Sequence, residues 1–585
     1  MRNEKSDQTP TTTRRQQRSS RGSRAASNSH PVVEVVAWVG TPGQKNWGLL
    51  LKFIDRAGLR QTVRLPASKI RNKARLLEFL DDHGVPVPAD PTELVRYIQG
   101  AQPERCDPLV TRPGWHGDKF LLGAKTVGKR KERLRLDDRF DAHPAQVAKE
   151  GSLDDWKVNI ADRCTASSYL VFGLAVGFAA PLLYLTDVDS GGFHFWVRST
   201  RGKTTVQRCA ASIFGKGQLG GDGYLRSWKT TSTAMEEAAL GHCDLPLILD
   251  ELKLLDPDQR KAAQLASEAA YSVANGTIKA RSAGWTGPIP ADARHFRTLI
   301  VSSGEISLGE HARVGRMNRL DGEAVRLIDI PVPNCATGIL DRLPVEMSGR
   351  ERKAFIRALK ENALQYYGTA GNAFMRKLID QFNDNQAEFK ASLKRTIEKF
   401  LTKSVVDQED PYEARFAERF GLAYAAASLA IDYEVVSWDR ALVYRSIRRV
   451  YRRALHQRTG QSDPVQVVVT KILQKARKAN FVDIRRKSPP IDPKTAEKAD
   501  VLLITHSDGS SLYALRSAFF KSIVGPRISP KKVAKYLDRR DILIPRSETC
   551  RTQQVRIPGL KPRRGYYCLT EAAVVGKSSP KCTKP

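Results

Sequence analysis

Gly202-Lys203-Thr204-Thr205 ends a short polar loop, and Asp250-Glu251 and Ser302-Ser303 stand at the ends of two apolar runs further on. These residue types at these places suit one chemistry. A loop that turns successive backbone N–H groups toward one point, ahead of a helix N-terminus, holds a chain of phosphates. Lys203 reaches the β- and γ-phosphates from such a loop, and the Thr204 hydroxyl holds a magnesium ion. Ser199, Thr200, Gly202 and Thr205 complete the phosphate contacts. Asp250 takes the metal through water, Glu251 polarises the attacking water, and Ser302 or Ser303 senses the γ-phosphate. The expected ligands are ATP and Mg2+. One position departs from the usual G-x-x-x-x-G-K-[ST] spacing: its first glycine is Val197 here, and bulky Arg201 precedes Gly202. Restoring glycine at 197 is expected to raise ATP affinity or turnover if the loop is impaired.

The elements that must carry these residues follow from the apolar pattern. Gly191 to Trp196 reads as a buried strand running into the loop, with a helix from Thr204 to Ile213. Leu245 to Asp250 is a continuous apolar run ending in acids, the signature of a central parallel strand, and Arg297 to Ser303 is a second. Ligands in open α/β sheets bind at the carboxyl ends of the strands. Asn275-Gly276 is a turn signal, and a hairpin after it projects Lys279 and Arg281 toward DNA. Arg313, Arg316, Arg319 and Arg326 follow the polar-tipped strand; Arg319 or Arg326 is expected to reach a neighbouring subunit's γ-phosphate. Arg415 and Arg419, one helical turn apart, are candidates for a phosphate sensor. His116, a lone histidine beside Trp115, reads as structural.

Charge sets the partner. The chain has 96 basic against 63 acidic residues, a net charge of +33 and a pI near 9.9. That balance points to a polyanion. Residues 431–585 hold 33 Lys and Arg against 13 Asp and Glu, so most of the excess lies at that end, as DNA binding requires. The eight cysteines form no C-x-x-C pair and read as reduced thiols of a cytoplasmic protein. Tyr169 to Leu185 is apolar, but Gly173, Gly177 and Pro181 and its place before the loop strand make it a core helix; no membrane partner is expected.

Six segments are expected: a disordered basic arm over residues 1–30, an N-terminal α+β domain over 31–150, a parallel-sheet ATPase core over 151–335, an all-α lid over 336–460, a linker over 461–499 and a winged-helix-like basic domain over 500–585. In the last, Leu512 to Ile523 reads as a helix and Pro530 to Leu537 as a basic helix presenting Lys531, Lys532 and Lys535. Gln554 to Leu569 reads as a hairpin whose turn offers Lys561, Arg563 and Arg564 to DNA.

Gly191-Gly192-Phe193-His194, Gly202-Lys203-Thr204-Thr205, Tyr224-Leu225-Arg226-Ser227-Trp228, Leu249-Asp250-Glu251, Ala274-Asn275-Gly276 and Ser302-Ser303-Gly304-Glu305 together resemble the family called domain of unknown function 927, found in proteins of phages, plasmids and integrated elements. The likeness runs from Val32 to Pro331. It implies an AAA+ ATPase with a P-loop, related to replicative helicases and working as a homo-oligomeric ring on single-stranded or forked DNA. The lid and C-terminus also resemble MCM-like helicases of mobile elements. No primase module is visible in the chain, which leaves priming to a separate primase. The expected function is a helicase or replication initiator. The alternatives are a DNA-binding regulator or assembly factor with weak or no ATP turnover and, last, an RNA remodeller, for which no RNA-binding pattern is present.

Overall fold

The computed structural model describes residues 32–576, apart from 41–45, 129–132, 138–142, 199–200, 279–294, 336, 344–346, 405, 407–409, 463, 480, 486–491, 507–508, 526–527, 539–541, 548–549, 558 and 561–563. The expected basic arm and Ser199, Thr200, Lys279, Arg281, Lys561 and Arg563 lie outside the described residues.

The first unit is an antiparallel meander, β1 (Val33–Gly40), β2 (Gly48–Ile54) and β3 (Arg60–Pro66). The amphipathic helices Lys73–Asp82 and Thr92–Gly100 bury Leu76, Leu80, Leu94 and Ile98 against it. β4 (Cys106–Val110) returns parallel to β1. A small sheet of β5 (Gly114–His116), β6 (Lys119–Leu122) and β7 (Lys125–Val127) follows, and β8 (Arg135–Leu136) then pairs with β4.

Trp115 of the small sheet belongs to the main core of the protein. Its N–H donates to the fully buried Asp244 carboxylate at 2.9 Å, and Arg297 donates to the same carboxylate at 2.7 and 2.9 Å. His116 donates from Nε2 to the Arg112 carbonyl, 2.9 Å away, and burial lowers its pKa, which fits a structural histidine.

The central sheet is β9 (Gly191–Trp196), β10 (Arg226–Ser227), β11 (Leu245–Asp250), β12 (Thr298–Gly304) and β13 (Leu327–Pro331), in the order β10-β11-β12-β9-β13. Every pairing is parallel, so all the carboxyl ends share one edge. Period-two alternation divides the side chains between two cores. Phe193, Phe195, Ile248 and Val301 join one, with the helices Ser168–Ala179 and Lys203–Ala211; Leu247, Leu249 and Ile300 join the other, with Gln259–Asn275. The apolar segment Ser168–Leu185 has a mean hydropathy of 1.8 but is 94% buried within the protein. Two of its glycines explain the fit: a Cβ at Gly173 would meet Val206 at 2.4 Å, and one at Gly177 would meet Ile213 at 2.5 Å.

Five helices (Gly349–Gln365, Thr369–Asp384, Gln386–Ser404, Pro411–Asp432 and Arg440–Ser462) occupy the region expected as a lid. They share one continuous apolar core with Ser168–Ala179; Phe172 and Phe420 stack at 5.2 Å.

The last unit is a five-stranded sheet of β14 (Phe481–Asp483), β15 (Val501–Thr505), β16 (Ser511–Arg516), β17 (Gln553–Val555) and β18 (Arg564–Thr570), ordered β14-β15-β16-β18-β17. The helices Pro464–Lys478, Ser517–Val524 and Pro530–Asp538 pack on one face. Two expectations change here. The segment read as a helix from Leu512 splits into β16 and Ser517–Val524, because β16 is buried on both faces and its apolar run has no strand period to read. The stretch 461–499, expected as a linker, supplies a helix and an edge strand to this unit.

Candidate functional site

The loop after β9 enters the helix Lys203–Ala211 through Gly202, whose φ of +96° is left-handed. A Cβ there would meet the Ile339 side chain at 2.6 Å, so both backbone and space require glycine. No side chain caps this helix, leaving its first N–H groups for a ligand. Lys203 is buried and folds back to donate from Nζ to the Val197 carbonyl at 2.6 Å. Burial lowers its pKa, opposed by the carboxylates of Glu251, Glu305 and Asp250. Thr204 is half-buried at the helix start. Thr205 is fully buried, and its Oγ1 has no hydrogen-bond partner.

The acids stand at the same edge of the sheet, because β11 and β12 are in parallel register with β9. Ser303 donates from Oγ to Asp250 Oδ1 at 2.8 Å, and the Glu251 N–H donates to that same Oγ at 3.4 Å. Glu251 has a φ of +57°, a left-handed conformation that costs a non-glycine residue about 1–3 kcal/mol. Its Oε1 is buried without a partner. Burial first, and then Asp250 and Glu305, raise its pKa.

A single edge therefore gathers an uncapped helix N-terminus, a buried lysine, two acids and a serine. The loose ends it leaves (Thr205 Oγ1, Glu251 Oε1 and the first helix N–H groups) suit a phosphate chain with a magnesium ion. Magnesium keeps waters and phosphates as ligands and needs only one or two carboxylates. Among the described residues no group of three or more His, Cys, Asp or Glu side chains able to hold a metal is found.

Residues 11–288 match the family model "Domain of unknown function (DUF927)". That stretch is similar to the DUF927 family. Its match starts earlier and ends sooner than the resemblance from Val32 to Pro331. The DUF927 match contains the loop, Asp250 and Glu251; Ser302, Ser303 and the arginines lie beyond it. In fold, the whole chain is similar to a solved structure described as "SCCmec type IV Cch - active helicase". That likeness has a TM-score of 0.52 and 15% identity, and covers 93% of this chain and 95% of that one. No curated protein matches this chain.

Beyond the DUF927 match the geometry reassigns several residues. Ser302 and Ser303 are neighbours on a strand and point to opposite faces. Ser302 is fully buried, accepts from Trp228 Nε1 at 2.8 Å and lies 2.9 Å from His194 Nδ1; it is committed to the core, and only Ser303 faces the acids. His194 sits at 3.1 Å from the Ile306 carbonyl through Nε2, and burial holds its pKa down to about 4.

Neither expected finger arginine is free. Arg319 pairs with Asp329 at 2.5 Å and donates to the Leu327 carbonyl, with 12% of its side chain exposed. Arg326 donates to the Gly322 carbonyl at 3.0 Å and lies over the Tyr271 ring. The sensor candidates stand at the wrong end of the sheet. Arg415 is exposed and paired with Asp189 at 3.6 Å, just before β9 begins. Arg419 is buried and donates to the carbonyls of Val325 and Ser190 at 2.5 and 2.8 Å. β9 separates both from the phosphate loop.

Of the DNA-directed residues, Lys531 and Lys532 are exposed on Pro530–Asp538 and Lys535 is half-buried, opposite the buried Val533 and Leu537. Arg564 is paired with Glu497. Thr277 and His295 form an antiparallel bridge, bringing together the two ends of the segment that contains Lys279 and Arg281.

One half-buried basic residue escapes a sequence reading: burial and the charge of Arg208 lower the pKa of Lys360, on Gly349–Gln365, and Asp250 opposes them. Lys360 is one of many charges on an alternating helix, so nothing in its spacing marks it.

Proposed function

We propose that this protein is an ATP-dependent DNA motor, a helicase or replication initiator of a phage, plasmid or integrated element. It works in the cytoplasm as a homo-oligomeric ring on single-stranded or forked DNA, with priming left to a separate primase. One observation carries the reading: Lys203, Asp250 held by Ser303, and a left-handed Glu251 with an unpartnered carboxylate oxygen converge at the carboxyl edge of a parallel sheet. The fold likeness to an active helicase and the net charge of +33 support the same conclusion.

In this reading the uncapped helix N-terminus and Lys203 hold the phosphates of ATP, and Thr204 and Asp250 hold magnesium. Bound magnesium supplies charge neutralisation and alignment of the phosphates. Ser303 fixes the Asp250 carboxylate and the backbone of Glu251. Glu251 takes up the proton of the attacking water. Its raised pKa makes it a stronger base than an ordinary glutamate, while its left-handed backbone aims it away from the strand. Arg313 and Arg316, exposed on and just after the helix Leu308–Val314, are the arginines left to face a neighbouring subunit. Lys279, Arg281, Lys531 and Lys532 contact the DNA, the last two from a winged-helix-like unit.

Strand separation tests this directly. The parent is expected to open a forked DNA duplex with ATP, to do so better than a matched RNA duplex, and to lose the activity on Lys203→Ala. ATP binding without turnover or unwinding would favour the DNA-binding regulator.

A further inference from the structure

The helix Arg440–Ser462 buries Val443, Ile447, Val450 and Ala454 in the main core and turns a row of cations outward. Arg445, Arg449 and Arg452 are exposed, with Arg448 and Arg453 half-buried beside them. Arg342 joins the row by donating to Ser446 Oγ at 2.5 Å. Residues three and four apart are neighbours on a helix, and like charges there repel.

Among the described residues, the carboxylates paired with this row are Asp341 and Asp439. Each already has a structural task. Asp341 accepts from the Ser168 N–H at 2.7 Å, and Arg449 reaches its other oxygen at 3.0 Å. Asp439 accepts from the Leu442 N–H at 2.8 Å, and Arg445 stands 3.9 Å from it. Arg448 and Arg452 have no ion pair among the described residues, and Arg448 Nε is buried without a hydrogen-bond partner.

Hydrogen bonds fix where the row lies. Arg453 donates to the Tyr169 hydroxyl at 2.8 Å, and that hydroxyl donates to the Pro331 carbonyl at 2.9 Å, at the end of β13. Trp196, at the end of β9, donates from Nε1 to Gln457 at 3.1 Å. The helix therefore crosses the carboxyl edge of the sheet. Asp341 is two residues from Ile339, whose N–H donates to the Arg201 carbonyl at 3.2 Å, just before Gly202 of the phosphate loop.

Such a row suits a line of anions. The seven residues from Arg445 to Arg452 rise about 10 Å, the length of about three phosphates along one nucleic-acid strand. Guanidinium groups match phosphate oxygens in geometry and charge.

We propose that Arg445, Arg449 and Arg452 form a track for the phosphodiester backbone of a single DNA strand, laid beside the phosphate loop. This proposal rests on the DNA-motor reading and extends it to a surface on a different element from the lysines and arginines assigned to DNA above. The track holds the strand by charge and reads no base. It also brings DNA to the edge of the sheet that holds the nucleotide, through Asp341 and the contact of Ile339 with Arg201.

The test is the salt dependence of binding to a fluorescent single-stranded oligodeoxynucleotide, on the full chain without nucleotide. The logarithm of affinity falls with that of salt concentration by about 0.7 per phosphate contacted on a single strand. Arg445→Gln, Arg449→Gln and Arg452→Gln together should flatten that slope by about 2 units, and lysine at all three positions should restore it. Arg445→Gln with Arg452→Gln keeps the Arg449–Asp341 pair and should flatten it by about 1.4 units, so the proposal is tested even if the triple variant fails to fold. Affinity for a slowly hydrolysed ATP analogue without DNA should stay within about twofold of the parent. An unchanged slope overturns the proposal. So does equal weakening of the ATP analogue, or loss of binding to a matched RNA with DNA binding intact. If the parent itself shows no salt-dependent DNA binding, the DNA-motor reading fails; if it does and the glutamine variants match it, only this inference fails.

Discussion

Val197→Gly restores the glycine expected at the start of the phosphate loop, and the structure predicts that it harms the protein. Val197 is 2% exposed and lies within the main apolar core. Its N–H donates to the Gly304 carbonyl at 3.4 Å, and its carbonyl accepts from Lys203 at 2.6 Å. Glycine removes a buried side chain worth about 1.5–3 kcal/mol and adds about 0.5–1 kcal/mol of unfolded-chain entropy. The expected loss is about 2–4 kcal/mol. Because the residue that anchors Lys203 is also loosened, ATP affinity should fall rather than rise. Urea denaturation followed through the buried Trp156 and Trp228, together with nucleotide titration, measures both effects. A variant as stable as the parent that binds ATP more tightly would refute this reasoning, and valine would then be an impairment of the loop rather than part of its wall.

Other perturbations separate structural charges from functional ones. Arg419→Met should cost about 2–5 kcal/mol, since it strands two buried carbonyls, whereas Arg415→Ala should cost under about 1 kcal/mol. Neither should change the ATP-to-ADP affinity ratio, and a changed ratio in a folded Arg415→Ala protein would return it to the site. His194 has a folded pKa of about 4 against about 6.5 unfolded. Between those values the unfolded chain binds more protons, so this stability is complete above about pH 6.5 and is lost as pH falls toward 4, by about 3 kcal/mol. His194→Gln should flatten that part of a pH–stability curve; an unchanged curve would show that His194 is not the titrating group.

The part of the site that was legible in sequence is the part built from contiguous residues. Gly202-Lys203-Thr204 sits at a helix start, and Asp250 and Ser303 end continuous apolar runs that suit buried parallel strands. A serine pair on a strand also announces that one member faces each side, but not which, because that depends on whether Trp228, just after β10, reaches Ser302. The arginines were misread for a related reason. Spacing shows that Arg319 and Arg326 are near one another in the chain, as are Arg415 and Arg419, while the partners Asp329, Asp189 and the Ser190 carbonyl are chosen by tertiary packing. In the C-terminal unit, β16 looked helical because both of its faces are apolar.

The central claim is that the edge formed by Lys203, Asp250, Ser303 and Glu251 hydrolyses ATP when DNA is bound. Its most direct measurement is the rate of ATP hydrolysis with and without single-stranded DNA, for the parent and for Glu251→Gln. The account predicts DNA-stimulated hydrolysis in the parent, and in Glu251→Gln a rate lower by at least about a hundredfold with ATP binding retained. Hydrolysis by Glu251→Gln at the parent rate, or no hydrolysis by the parent with DNA present, would contradict it.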